Sequence, residues 1–356
     1  MVFLVCQCIQ LVEREKNAID HMGQSKRIIF LQSAHTETDD RVLFHQAQTL
    51  REAGHIVEIY GMDSFLNYVP KQTDIYIVDT PKSLWKIRHT SAKIVYDITE
   101  WYPSKKNLRN IRLGKLFKAL VLAIANLWAG WRTDAFIFGE EDKAKPFRVL
   151  YPRKKYINLP YYPDLAYIQP LPTNELTQVC RVLYAGALTK EKGWERVKST
   201  MEHIAELLPK TQFQLDVITK DHLPNLKAYD NLHLRRLEFM PFGQFCKQIV
   251  KYDLFLDLRD IDLENTHCLP IKLFYYMACG RPSIYSNLIA IRKGVAEIDT
   301  CACLVKDVEQ ATQAMIQYIR NQSLYKQHCQ AALEMAQKQY NWQSIKLSLS
   351  QLIDEL

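Results

Sequence analysis

No C-x-x-C pair occurs among the nine cysteines of this 356-residue chain. Their number is odd, several sit inside apolar runs, and Cys301-Ala-Cys303 has no second pair of ligands beside it. That argues against a zinc site and a disulfide framework, and for free thiols acting as small hydrophobes in a reduced cytoplasm. Low-complexity segments are missing too, so nothing calls for disorder. The apolar start Met1–Val12 is too short to span a bilayer, lacks a basic lead and runs into Glu13-Arg-Glu-Lys16, a poor signal peptide. Zinc-finger, RNA-binding and basic-zipper patterns are absent, so no nucleic-acid partner is expected. The net charge of +7 is mild and suits an anionic substrate or an anionic membrane surface.

What is present is length and rhythm. With 48% hydrophobic residues the chain can bury two cores. Met22 stands just before the first clear strand, so residues 1–25 read as an N-terminal extension. Arg27–Leu31 is a strand, about Arg41–Ala53 a helix closed by Gly54, and Ile56–Tyr60 a second strand. That succession is a βαβ unit and implies a parallel sheet with right-handed crossovers. Strands at 74–78, 94–96, 135–138 and 156–160 complete a first domain, 26–165. A Pro-rich linker at 166–175 follows. The rhythm restarts with strand 181–185, helix 193–208, strand 213–219, helix 241–251 and strand 254–258. It closes with a helical segment over about 307–339, giving a second domain over 176–339. A last helix in 340–356 follows the Tyr340-Asn-Trp342 break. The fold class is α/β, two Rossmann-like doubly wound domains facing a cleft, with ligands expected at the carboxyl ends of the strands.

The densest information lies in Glu264-Asn-Thr-His-Cys-Leu-Pro-Ile-Lys-Leu-Phe-Tyr-Tyr-Met-Ala-Cys-Gly-Arg-Pro-Ser-Ile-Tyr285. A polar loop runs through Pro270 into a helix over Leu273–Ala278, Gly280 and Pro282 stop it, and Ser283–Tyr285 reads as a strand. The helix start offers free N–H groups to an anion, and Lys272 adds a full charge there. The segment resembles the signature of retaining glycosyltransferases of the two-Rossmann GT-B type, family four, in their Pro-x-Lys-x-Phe-x-Tyr-Met-Ala-x-Gly-x-Pro form. Gly186-Ala-Leu-Thr-Lys-Glu-Lys-Gly193 is similar to that family's first donor-domain loop, where a Lys before Gly binds the donor diphosphate. Lys192 holds that position, while Ala187 stands where the family carries Arg. Tyr275 stands where the family carries a ribose-binding Glu; its hydroxyl could still meet a ribose. The resemblance thus implies a donor site of Gly186, Lys192, Asn265, Thr266, His267, Lys272 and Tyr275, against the plainer reading of a solvated turn and core aromatics.

Two patches of the first half are also similar to the family. Asp39-Asp40-Arg41-Val42 opens the first helix, with Asp39 as its N-cap. Tyr96-Asp-Ile-Thr-Glu-Trp-Tyr-Pro103 ends a strand where residues face the cleft. His35, Asp97 and Glu100 are therefore candidate acceptor-side residues, and helix capping or a plain strand exit are the competing explanations. Asp260-Ile-Asp262 mimics the Asp-x-Asp metal motif of the other major glycosyltransferase fold. In a two-Rossmann chain, lysines and a helix dipole can hold the diphosphate, so no metal or cofactor is expected. Residues 105–132 form a basic amphipathic helix. Arg109, Arg112, Lys115 and Lys118 with Trp128 and Trp131 suit docking on an anionic membrane; a buried helix is the even alternative.

The resemblance covers roughly 26–356. It implies a retaining, metal-independent transfer from a nucleotide-diphospho-sugar (UDP or GDP) to a glycan or lipid-linked acceptor, at the inner face of the cell membrane. A non-catalytic nucleotide-sugar-binding or scaffold subunit remains open, given Ala187 and Tyr275. A sugar-nucleotide epimerase would need paired cleft carboxylates with a His, which the sequence does not assemble.

Overall fold

The computed structural model describes residues 25–99, 114–173, 176, 179–224 and 227–356. They fall into two compact units, one reaching Tyr161 and including Ile345–Leu356, the other Tyr162–Ser344. The first unit opens with β1 (Arg27–Leu31), a π-helical stretch Arg41–Ala47 continuing as α1 (Gln48–Glu52), β2 (Ile56–Tyr60), α2 (Met62–Phe65), β3 (Ile75–Val78) and α3 (Pro81–Lys86). It continues through β4 (Lys93–Ile98), α4 (Lys115–Arg132), β5 (Ala135–Phe138), α5 (Glu141–Leu150) and β6 (Lys155–Asn158). The strands pair in parallel in the order β2-β1-β3-β4-β5-β6. β3 and β5 are short apolar runs buried at every position, as strands of a parallel sheet with helices on its faces must be.

The second unit repeats the plan. Its elements are β7 (Val179–Ala185), α6 (Trp194–Leu207), β8 (Gln212–Ile218), β9 (Leu232–Leu237), α7 (Phe242–Ile249) and β10 (Leu254–Asp257). α8 (Leu263–Thr266), α9 (Ile271–Ala278), β11 (Ser283–Ser286), α10 (Ile289–Gly294) and β12 (Ala302–Val305) follow. α11 (Val308–Arg320), α12 (Gln322–Lys338) and α13 (Trp342–Asp354) end the chain. The strand order is β12-β11-β10-β7-β8-β9, again all parallel. That is the Rossmann order, which reverses direction between β7 and β10; the first sheet reverses between β1 and β3. Ligands of open α/β sheets bind beyond the strand ends at such reversals.

The structure adds detail to the sequence reading. The helix after β1 begins as a π-helix whose N-cap position is Asp40, while the preceding Asp39 accepts the Val42 N–H through Oδ1 at 3.3 Å. The segment over 307–339 is two helices, divided at Asn321, whose side chain accepts the Leu324 N–H at 3.0 Å and starts the second. Ile345–Leu356 belongs to the first unit. There the Lys26 ammonium donates to the carbonyls of Ile353 at 2.6 Å and Asp354 at 3.0 Å, meeting the unpaired end of α13.

Each unit has its own apolar core. Within the signature helix α9, Tyr276 stacks on Phe255 with ring centroids 3.8 Å apart and planes 2° from parallel. Its hydroxyl is buried with no hydrogen-bond partner among the described residues. The ring therefore packs while the oxygen only carries a desolvation penalty. Tyr276→Phe should leave urea-unfolding stability unchanged or raise it by about 1 kcal/mol; a clear loss would show that the hydroxyl is engaged.

Candidate functional site

In the second unit, three strand ends and one helix start converge at the sheet reversal. β7 ends at Ala185 and leads into Gly186, β10 ends at Asp257, β11 ends at Ser286, and α9 brings in Lys272 as its second residue. The Lys272 ammonium donates to the Ala185 carbonyl and lies 3.2 Å from Asp257 Oδ2. Arg259 grips the same carboxylate as a fork, Nε to Oδ1 and Nη2 to Oδ2, both at 2.8 Å. The Arg259 and Asp257 side chains are only 9% and 2% exposed, whereas Lys272 keeps 27%.

The electrostatics follow from that packing. Burial pushes the Asp257 carboxyl up, but Arg259 and Lys272 together outweigh it and hold it near about 2. Lys272 is lowered from the ordinary lysine value, first by burial and then by the charges of Arg259 and Lys192, against the pull of Asp257. Two cations thus share one anion.

Loop 186–193 is fixed onto this cluster by glycine. Gly193 has φ +81°, and a Cβ there would lie 2.0 Å from the Leu258 carbonyl oxygen. At the other end of the loop, a Cβ on Gly186 would come within 3.6 Å of Lys272 Nζ. Lys192 is half exposed and pairs with Glu191 at 3.1 Å. The structure therefore brings Gly186 and Lys272 together, and the Tyr184 hydroxyl, reaching the Ala187 and Lys192 carbonyls at 2.7 and 3.2 Å, holds the loop that carries Lys192.

The remaining residues expected on this side separate by burial. Asn265 is buried, its Nδ2 without a partner among the described residues, while Thr266 is part-buried and His267 exposed. Tyr275 lies inside an aromatic group, its ring 6.2 Å from Phe242 and 6.1 Å from Phe245. Asp260 pairs with Arg196 at 3.4 Å, and Asp262 accepts the Asn265 N–H at 2.8 Å, starting α8. Among the described residues no His, Cys, Asp and Glu group could hold a metal ion. Arg259 was missed by the motif reading. Its signal was a charged Asp257-x-Arg259 pair, two residues apart and so on one side, at the end of an otherwise apolar strand.

In the first unit, polar residues gather where its sheet reverses. Asp79, just beyond β3, accepts the N–H groups of Ser33 and Ala34 at 3.0 and 2.8 Å and so shapes the loop after β1. His35 in that loop lies 3.2 Å from Asp39 through Nδ1 and 3.5 Å from the Thr99 hydroxyl through Nε2. The Asp39 hydrogen bond raises the His35 pKa despite burial. Burial, then the charge of Asp39, lifts Asp40 to about 6. Asp97 is buried and committed, accepting from Arg41 Nη2 at 2.6 Å and Gln46 Nε2 at 2.9 Å. Glu100 lies outside the described residues.

Helix α4 divides sharply. Leu116, Phe117 and Trp131 are 85%, 72% and 70% exposed, and Leu120, Val121, Ile124 and Leu127 extend the same open face. Where the sequence reading put Trp128 on the outer side, its ring packs inward on Trp85 at 5.3 Å and against the core. Lys118 is part-exposed. Arg109, Arg112 and the Lys115 side chain lie outside what is described. No described helix is long and apolar enough to cross a membrane.

No protein-family model and no curated protein matches the sequence. Solved structures do match in shape. A sucrose-phosphate synthase from Thermosynechococcus elongatus aligns with a TM-score of 0.65 at 14% identity, covering 92% of this chain and 98% of that one. Anabaena HepE, solved with UDP-glucose, gives 0.63 at 12% identity, over 93% of this chain and 100% of the other. An α-glucosyltransferase, solved with UDP and a 13-mer DNA containing an HMU base, gives 0.60 at 14%, over 94% and 100%. The fold is that of the GT-B glycosyltransferases. At these identities the likeness speaks for the fold, and chemistry must be argued from this chain's own residues.

Gly193 offers a direct check on the loop. Gly193→Ala puts a Cβ against the Leu258 carbonyl in a left-handed conformation. It should lose at least about 1–2 kcal/mol in urea denaturation. The Asp257 carboxylate adds a pH signature: its stabilisation is complete above the ordinary value of 3.8 and disappears as pH falls towards about 2. Asp257→Asn should flatten the stability curve over that window.

Proposed function

We propose that the protein is a glycosyltransferase moving a sugar from a nucleotide-diphospho-sugar, carrying UDP or GDP, to a glycan acceptor with retention and without a metal. The observation that carries this is Lys272, at the start of α9, set directly beneath Gly186 at the Rossmann reversal of the second unit. A lysine at a helix N-terminus neutralises a diphosphate while free N–H groups bind its oxygens. In the reaction, the bond from the sugar C1 to the diphosphate oxygen breaks and its electron pair leaves with the phosphate. The acceptor hydroxyl bonds to C1 on the same face, and its proton passes to the departing phosphate oxygen. Lys272 and Lys192 stabilise the charge that develops there. Gly186, Asn265, Thr266, His267 and Tyr275 are assigned to the donor, Tyr275 from within its aromatic surroundings.

His35, Asp97 and Glu100 are assigned to the acceptor. Asp97, tied to Arg41 and Gln46, acts as a positioning residue, and His35 presents its Nε2 edge beside Thr99. The open apolar face of α4 and the bases of the 105–118 region suit an anionic membrane surface. That favours a lipid-linked acceptor, such as a surface-polysaccharide precursor, and a peripheral place on the inner membrane face. A second reading, a non-catalytic nucleotide-sugar-binding subunit, draws on Ala187 and on the burial of Tyr275.

Incubation with a panel of nucleotide sugars separates the two. Slow donor hydrolysis is expected; tight binding without turnover would favour the binding subunit, and magnesium-reversible loss in EDTA would overturn metal independence. Lys272→Ala should weaken nucleoside-diphosphate binding by about 1–3 kcal/mol in calorimetry. Only charged Lys272 attracts phosphate, and it deprotonates below the ordinary 10.5. Affinity should therefore be full near neutrality and fall on the alkaline side earlier than a free lysine would dictate.

For the membrane, Leu116→Ser with Phe117→Ser should release the protein from anionic vesicles, with circular dichroism unchanged. A wild type that ignores such vesicles at low salt would remove the lipid surface from the proposal.

A further inference from the structure

Loop 186–193 carries Lys190 and Lys192 but no arginine, so it offers a diphosphate no guanidinium of its own. We propose that Arg259, held in place by Asp257, supplies one to the donor diphosphate from the neighbouring strand end. The inference rests on reading the second unit as a nucleotide-sugar site.

Position comes first. Arg259 follows β10, and β10 lies beside β7 at the sheet reversal, so Arg259 and Gly186 leave the two strands that flank the expected ligand crevice. Gly193 presses loop 186–193 onto the backbone of Leu258 and Arg259, a contact that no side chain at 193 would permit. The Arg259 carbonyl is fixed in turn by the Ser286 hydroxyl at 2.6 Å.

Charge comes next. Arg259 Nη2 and Lys272 Nζ approach the same oxygen of Asp257, at 2.8 and 3.2 Å. One carboxylate satisfies one cation, so the pair leaves a surplus positive charge in a site with little solvent. Such a surplus is unfavourable unless an anion completes it. Asp257 takes two of the five N–H groups of the guanidinium and aligns its plane. Arginine forks match phosphate oxygens as they match carboxylates. Asp257 is the positioning residue and Arg259 the ligand.

The test uses calorimetry on the full chain with UDP and GDP, and with uridine and guanosine as phosphate-free probes. Lys272 still pairs with Asp257 once the guanidinium is gone, so Arg259→Gln is measured on its own, with Arg259→Lys beside it. Arg259→Gln should bind the diphosphates about 10- to 100-fold more weakly, about 1.4–2.7 kcal/mol. Arg259→Lys should fall in between, and nucleoside affinity should stay unchanged. Equal weakening of diphosphates and nucleosides would mean a purely structural role and overturn the inference, as would unchanged diphosphate binding in the folded variants. If Lys272→Ala weakens binding while the Arg259 variants do not, the donor site stands and this inference falls. A wild type that binds no nucleoside diphosphate takes both down.

Discussion

The Asp257 carboxylate organises the second unit's strand ends, because Lys272 and Arg259 both pair with it. Two cations this near each other repel, and in a site of effective dielectric around 20 that repulsion is on the order of several kcal/mol at contact distance. Asp257 offsets it, and its own burial is tolerable because it is paired and hydrogen-bonded. Removing Asp257 would leave both cations facing each other with no anion between them, whereas removing either cation leaves the other paired with it. Preorganisation follows: the cations hold their positions before any ligand arrives, so binding an anion need not order two long side chains.

Strand order explains why the cluster sits where it does. In a parallel sheet successive crossovers are right-handed, so the helices after β7 and β10 leave to opposite faces and the loops between them part. The gap exposes the carboxyl ends of both strands to one ligand. Glycine then sets how closely the loops approach, since Gly193 lets its loop rest on the backbone after Asp257. The first unit uses the same logic between β1 and β3, with Asp79 gathering the N–H groups of Ser33 and Ala34.

The fold was largely legible because period and punctuation agree. Ile-Ile-Phe-Leu and Ala-Phe-Ile-Phe are too short and too apolar for surface helices, and Gly54 and Gly280 end helices where a strand follows. Strands β9 and β12 escaped notice: Leu-His-Leu-Arg-Arg-Leu alternates as a strand edging a sheet does, and Ala-Cys-Leu-Val carries no turn signal of its own. The residues proposed for the donor side were legible only as far as local spacing reaches. Lys272 announces itself by its place before an apolar helix. Arg259 does not, because its meaning lies in a shared oxygen with a residue thirteen positions further on. Trp128 misled for a related reason: an amphipathic pattern fixes the width of an apolar stripe but not which edge meets Trp85.

The contrast between the two sites bears on how the chemistry divides. In the second unit the titratable groups are locked as ions: Asp257 far down in pKa and Arg259 raised still higher by its partner. Such groups stabilise charge and do not exchange protons near neutrality. In the first unit the opposite holds, with Asp40 lifted to about 6, within reach of neutrality, and His35 raised by its hydrogen bond to Asp39. A transfer in which the leaving phosphate takes the acceptor's proton asks for fixed positive charge on the donor side. On the acceptor side it asks only for groups that can adjust a hydroxyl's hydrogen bonding. Under the proposed transfer, the locked ions of the second unit would serve the donor and the titratable groups of the first the acceptor.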